Sequence, residues 1–253
     1  MIHRRQFNAL LLATPFATAG CSAAPSPQTD PIKDGFSYLP GITTRDRLVA
    51  PHGRTIRVGF AINPGVQVID VAGPWEVFQD TYGLDKDVSA FELFTGSETA
   101  KSVRASGGLM IVPDYMIDNA PVPDVVVPHF DYPKPATRDT SPIHDWIKAT
   151  HSEALLTMSI CTGAFQLAKT GLLNGIPMTT NRKASHNFAK AFPEIMLRRG
   201  PRFVEAGRIA TSGGLSAGID LALRVVERFF DGAVAQQTAE TMEYTSTGWR
   251  VRT

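Results

Sequence analysis

The chain has 253 residues, 43% of them hydrophobic, with 25 basic against 24 acidic side chains and a formal net charge of +1. That length buries a full core as one large domain, and so balanced a charge supplies no field for steering nucleic acid. No Lys/Arg cluster or zinc-finger spacing occurs in the sequence, so a nucleic-acid partner is not expected.

Residues 1–21 read as a targeting segment: Arg4 and Arg5, an apolar run from Ala9 to Ala13, then Thr18, Ala19 and Gly20 before Cys21. The run is too short to span a bilayer as a mature helix. RRQF resembles a twin-arginine export signal, and TAGC resembles a lipobox with Thr18 where Leu is usual. The expectation is export across the bacterial inner membrane to the periplasm with a lipid on Cys21, the alternative being cleavage nearby by an ordinary signal peptidase. With Cys21 lipidated, Cys161 is the single thiol of the mature chain and no internal disulfide forms. Residues 22–54, rich in Pro, Ser, Thr and Asp, read as a flexible linker, which leaves 55–253 as the folded domain.

Within the domain, Arg57 to Ile62 is a short buried strand closed by Asn63, Pro64 and Gly65. Asp70 stands just ahead of Gly73-Pro74, and Pro74 suits the first turn of a helix running to Tyr82. Asp70 is then either a cap for that helix or a carboxylate facing the functional site. Phe91 to Thr95, Met110 to Pro113 and Asp124 to Val127 read as strands, the last followed by Pro128, His129 and Phe130. Ser141-Pro142 opens a helix to Thr150 with Ile143, Trp146 and Ile147 on one face.

The segment LLTMSICTGAFQLAKTG, residues 155–171, is an apolar run into Cys161 followed at once by apolar residues at helical spacing that stop at Gly171. This predicts strand, tight turn and helix, with the cysteine on the turn. A thiol at a helix N-terminus meets free N–H groups and the positive end of the dipole, both of which favour thiolate. Cys161 is therefore either a nucleophile or a small buried apolar residue. As a nucleophile it is expected to react below pH ~8.5, the value of a free thiol, with an ionised Asp70 opposing that effect.

Pro177 to Thr180 is a further strand, Asn187 to Phe192 a short helix, and Arg202 to Ala206 with Arg208 to Thr211 two strands around Gly207. Gly213-Gly214 leads into a helix over Ala217 to Phe230, and a last helix spans Gly232 to Met242. Strands alternating with helices predict an α/β fold with a mostly parallel sheet covered on both faces and its strand-end residues along one crevice. The histidines show no paired ligand spacing, and neither a G-x-G-x-x-G nor a P-loop occurs, so no metal or nucleotide cofactor is expected.

The segments VIDVAGPWEVF, SICTGAFQLAKTGLL, TTN and IATSGGLSAGIDLAL, in that order, resemble the ThiJ/PfpI superfamily and its branch of isonitrile hydratases and regulator sensor domains. The resemblance implies a flavodoxin-like three-layer sandwich, a strained nucleophile elbow at the cysteine, and a homodimer. It also implies that Asp70 and Cys161 are the functional pair, the latter in C-T-G. Thr162 stands where the peptidase-like branch has histidine, which removes the base of a Cys-His protease. Pro128-His129-Phe130 replaces the usual Pro-Gly-Gly, and Thr179-Thr180-Asn181 replaces T-T-H-W. His129 is then either a proton donor at the strand end or a structural residue. The leading functional expectation is a cysteine-thiolate enzyme of lyase or hydratase type acting on a small molecule. In it Asp70 moves protons and the Thr162 N–H steadies developing charge. A non-catalytic ligand-binding or sensing domain, or a protective redox thiol, are the alternatives.

Overall fold

A computed structural model describes residues 41–82, 88–129 and 136–250. The targeting segment, Cys21 and Phe130 lie outside the described residues.

In chain order the elements are β1 (Ile56–Ile62), α1 (Val68–Gln79), β2 (Phe91–Ser97), β3 (Val103–Arg104), β4 (Met110–Ile111), β5 (Tyr115–Met116), β6 (Val125–His129) and α2 (Pro142–Glu153). They continue with β7 (Leu156–Ser159), α3 (Gly163–Lys169), β8 (Pro177–Met178), α4 (Ser185–Ala191), β9 (Met196–Leu197), β10 (Phe203–Ala206), β11 (Ile209–Ser212), α5 (Ser216–Phe229) and α6 (Gly232–Thr241). Seven strands form one sheet in the order β10-β11-β7-β6-β1-β2-β5. Every pairing in it is parallel except that of β10 with β11.

Successive side chains of a strand point to opposite faces, and in β1 this divides the core in two. Val58, Phe60 and Ile62 join Val77 and Phe78 of α1, Leu221 and Val225 of α5, and Ala235 of α6. On the other face Ala61 and Val126 meet Ile143 and Ile147 of α2, Phe165 of α3 and Phe188 of α4. The result is the expected three-layer α/β sandwich, in which the central strands are apolar on both faces because both are covered. Chain connections leave β1 toward β2 on one side, while β6 flanks it on the other. The crevice beyond the ends of β1 and β6 is thus a topological switch point, where open α/β sheets place their sites.

Three sequence expectations need correction. Helix α1 starts at Val68, so Pro74 lies inside it and Asp70 sits in its first turn, not ahead of it. Its start signal is tertiary: Gln67 gives no side-chain cap, and the Val68 N–H donates instead to Ser106 Oγ at 3.1 Å, 38 residues away. The strand expected to end at Val127 continues through Pro128 and His129, which pair with Ala61 and Ile62. The two-residue strands β3, β5 and β9 are too short to show a period and are held by their partners β4, β2 and β8.

Residues 41–48, expected within the linker, lie against the domain. Ile42 N–H donates to Phe203 O and Ile42 O accepts from Glu205 N–H, at 3.0 and 2.8 Å. Leu48 is buried. Below this segment Glu205 bridges two arginines of α5, with Arg224 Nε at 3.1 Å and Arg228 Nη1 at 3.2 Å, and its side chain is fully buried. The same arginines donate to the carbonyls of Thr44 and Asp46 at 2.6 and 2.9 Å. Removing one partner of a buried ion pair leaves the other charge without compensation, at about 3–5 kcal/mol. Glu205→Leu is therefore expected to lower unfolding free energy by about that amount in urea titrations, whereas a loss below about 1 kcal/mol would show that the segment is held by packing alone.

Candidate active site

Cys161 sits between the end of β7 and the start of α3 with φ at +55°, in the left-handed region that only glycine enters freely. Such a residue costs about 1–3 kcal/mol and persists where its surroundings determine it. Here they do. The Cys161 N–H donates to Gly213 O at 3.1 Å, and its carbonyl accepts from Thr180 Oγ1 at 2.8 Å and from Asn181 N–H at 3.4 Å. Gly163, next but one, has no room for a Cβ because the Pro128 carbonyl of β6 lies against it. The strained elbow is thus built by β11, the residues after β8 and β6 together.

Three groups reach the sulfur, and two more reach the carboxyl beside it. Asn181 Nδ2 donates to Cys161 Sγ at 3.2 Å, and the Thr162 N–H also bonds the sulfur. The thiol interacts with the Asp70 carboxyl from the first turn of α1. Asp70 is fully buried, and its Oδ1 accepts from Leu215 N–H at 3.2 Å. Leu215 has its own positive φ of +57°, which turns that N–H inward at the start of α5. Behind Asp70, His129 Nε2 lies 3.2 Å from Oδ2.

Burial sets the electrostatics. The Cys161 thiol is pushed up to about 12, first by burial and then by the Asp70 charge, with Asn181 and the Thr162 N–H pulling the other way. Burial likewise raises Asp70 to about 6, against the thiol and the Leu215 N–H. Burial lowers His129 to about 4, so the ring is neutral at pH 7. The expected depression of the thiol is corrected accordingly. A seven-residue helix offers one N–H to the sulfur, and that is outweighed by loss of water and a carboxylate neighbour.

The structure brings Cys161, Asp70 and the Thr162 N–H together as the sequence led one to expect. His129 belongs to the same cluster but is 0% exposed and bonds Ile160 O through Nδ1 at 3.1 Å, so it faces Asp70 and does not donate a proton to a ligand. Asn181 was missed: it stood in the sequence only as a ring lost from a pattern, and its contact with the sulfur depends on the turn after β8. Leu215 was missed as well, because a backbone N–H has no side-chain signature. Trp75 packs at a tilt against Phe60 with ring centroids 5.2 Å apart and, with Val68, Val71, Leu109 and Ile111, lines a 330 Å³ cavity on a face of α1 that does not carry Asp70. Among the described residues no three His, Cys, Asp or Glu side chains gather as a metal site.

Because the Asp70 charge holds the thiol up, removing it works in the opposite direction. Asp70→Asn is expected to move the alkylation midpoint of Cys161 to lower pH and to speed reaction with iodoacetamide at pH 8 several-fold, since a midpoint lower by about one pH unit gives about ten times the thiolate. Asn181→Ala is expected to slow it, and an unchanged pH profile in both variants would remove the electrostatic account.

Comparison with known proteins agrees with this geometry. Residues 56–228 match the DJ-1/PfpI family model. The chain is 30% identical over 190 residues to an isonitrile hydratase of Pseudomonas putida, covering 75% of this chain and 78% of that protein. It is 26% identical over 197 residues to the HTH-type transcriptional regulator GbdR of Pseudomonas aeruginosa, where it covers 76% of this chain but only 50% of the regulator. Among solved structures, a THiJ/PfpI family protein from Pseudomonas syringae superposes with a TM-score of 0.65 at 21% identity, covering 89% of this chain and 83% of that one. Drosophila melanogaster DJ-1beta gives 0.62 at 17% identity, covering 76% and 100%. The chain belongs to the DJ-1/PfpI family.

Proposed function

We propose that the protein hydrates a small neutral electrophile, an isonitrile or a close analogue, through a covalent intermediate on Cys161. The observation that carries this reading is the contact between the buried Asp70 carboxyl and a thiol fixed on a left-handed elbow. The 30% identity to an isonitrile hydratase supports the choice of substrate class.

In this reading the sulfur bonds the terminal carbon of R–N≡C. The carboxyl of Asp70 takes up the thiol proton as it delivers one to that carbon, which gives the thioimidate R–N=CH–S. Water then adds to the same carbon, losing one proton to Asp70 while the nitrogen gains one. The C–S bond breaks, R–NH–CHO leaves, and the sulfur recovers its proton. Asp70 works as acid and base in turn, for which a carboxyl raised toward neutrality is suited. A thiol that stays protonated at rest couples its ionisation to attack, and the Asn181 amide and Thr162 N–H receive the charge as it develops. None of Asp70, His129, Asn181 and Thr162 is cationic, which fits a substrate without charge.

The competing reading is a ligand-binding domain, favoured by the high resting position of the thiol and by the match to half of a transcriptional regulator. Turnover separates the two. Purified protein is expected to convert a simple alkyl isonitrile to the N-alkylformamide, and Cys161→Ser to abolish it. Asp70→Asn is expected to retain thiol alkylation while losing at least about 100-fold in turnover, the scale of acid and base catalysis. Binding of the isonitrile by wild type with no formamide formed would favour the ligand-binding domain.

We also propose that the chain is exported and held at a membrane by lipid on Cys21, a reading supported by Arg4-Arg5 and the residues before Cys21. The membrane fraction of expressing cells is expected to contain the wild type, and Cys21→Ser to release the protein to the soluble periplasm. Wild type recovered entirely as soluble protein that retains Met1 would overturn this.

A further inference from the structure

Leu215 carries the same kind of backbone strain as Cys161, with φ at +57°, and its surroundings must hold it there. They do so at both ends of the turn from Gly213 to Ser216. The Gly213 N–H donates to the carbonyl of Arg202 at 2.9 Å, while the Gly213 carbonyl takes the Cys161 N–H. Gly214 has no space for a Cβ, which would fall on the Asn181 amide and lie 3.6 Å from Cys161 Sγ. At the far end, Arg202 Nη2 reaches Ser216 Oγ at 3.4 Å. One arginine thus holds the turn twice, through its backbone at Gly213 and through its guanidinium at Ser216.

That guanidinium is set in turn by Asp220, one turn further along α5, whose buried carboxylate pairs with Arg202 Nε through Oδ2. The chain beyond α6 comes back onto this pair. Ser246 Oγ donates to Asp220 Oδ1 at 3.2 Å, and the Tyr244 hydroxyl lies 3.1 Å from the same oxygen and 3.3 Å from the Ser216 carbonyl. A Cβ on Gly248 would meet Asp220 Oδ2 and the Arg202 side chain inside contact distance, and Trp249 is buried in the core that contains α5. Hydrogen bonds to ionised partners are the stronger ones, and here they converge on the turn that carries the strain.

We propose that residues 244–249 are a positioning clamp for the candidate site: Tyr244 and Ser246 fix Asp220, Asp220 fixes Arg202, and Arg202 keeps the turn that aims the Leu215 N–H at Asp70. Released from the clamp, Leu215 relaxes out of its left-handed conformation and its N–H turns away from Oδ1. The titratable groups against Asp70 from other elements are Cys161 of the elbow and His129 of β6, and neither is cationic, the ring of His129 being kept neutral by burial. An N–H held on a carboxylate favours its charged form, so losing that N–H moves the Asp70 titration up. The clamp rests on Asp70 and Cys161 being the working pair, as the hydration reading has it. It places the setting of that pair's carboxyl in the last residues of the chain, far from it in sequence.

The test uses resting full-length protein and needs no turnover, so a protein inactive on isonitriles still decides it. The carboxyl band of Asp70 in infrared spectra, identified by its absence from Asp70→Asn, is expected to titrate at about 6 in wild type. Tyr244→Phe combined with Ser246→Ala is expected to move that midpoint up by about one pH unit, the scale of one hydrogen bond to a charged group. Gly248→Ala, whose added methyl drives into the Arg202–Asp220 pair, should act in the same direction. Ser246→Thr, which keeps the hydroxyl, should leave the midpoint in place. A segment that serves stability alone would lower the urea midpoint of these variants without moving the Asp70 titration. That result overturns the proposal, as does a shift in Ser246→Thr as large as that in the double variant. Should Gly248→Ala not fold, the double variant and Ser246→Thr decide alone.

Discussion

The left-handed backbone at Cys161 is the constraint on which the site depends. Held there by Gly213, Thr180 and Asn181, the residue keeps its sulfur beside Asn181 and in interaction with Asp70 of α1. A strained conformation survives only where neighbours over-determine it, and two of the neighbours here have a second task. Asn181 fixes the elbow through its N–H and touches the sulfur with its amide. Gly213 takes the elbow N–H and leads straight to Leu215, whose own positive φ aims an N–H at Asp70. Strain at two residues therefore serves one geometry, a thiol and a carboxyl brought together out of water.

Burial is what gives that pair its chemistry. Removing water penalises each charged form, so carboxyl and thiol both move up and the imidazole moves down. At rest the thiol keeps its proton. This differs from a thiolate kept ready at a helix end, and the reason is one of magnitude. A short helix supplies a single N–H, while burial and a carboxyl act at full strength on a residue 5% exposed. Such a site gains nucleophile and acid together when a substrate arrives, which suits addition across a neutral, unsaturated carbon.

Elsewhere charge is used for structure. Glu205 with Arg224 and Arg228 ties β10, α5 and residues 41–48 into one body. The arginines serve backbone carbonyls of a segment that has little apolar content of its own. That is why a stretch with the composition of a linker is laid down on the domain.

Much of this protein was determined by its sequence alone. Apolar runs, helical spacing and Gly-Pro punctuation placed most of the larger strands and helices, and with them the α/β layering. The cysteine was legible because an apolar strand ran into C-T-G and a helix began at once. Asp70 was legible through the segment VIDVAGPW, although its place inside the helix was not, since the cap of α1 is a serine 38 residues away. The tertiary structure alone decided the contacts made across the crevice: Asn181 on the sulfur, the Leu215 N–H on Asp70, and the ring of His129 behind it. These join separate chain segments at the ends of parallel strands, and no local period records them. Tertiary structure decided for the same reason that the thiol is raised and not lowered. A helix start can be read along the chain, but the depth at which it is buried depends on everything packed around it.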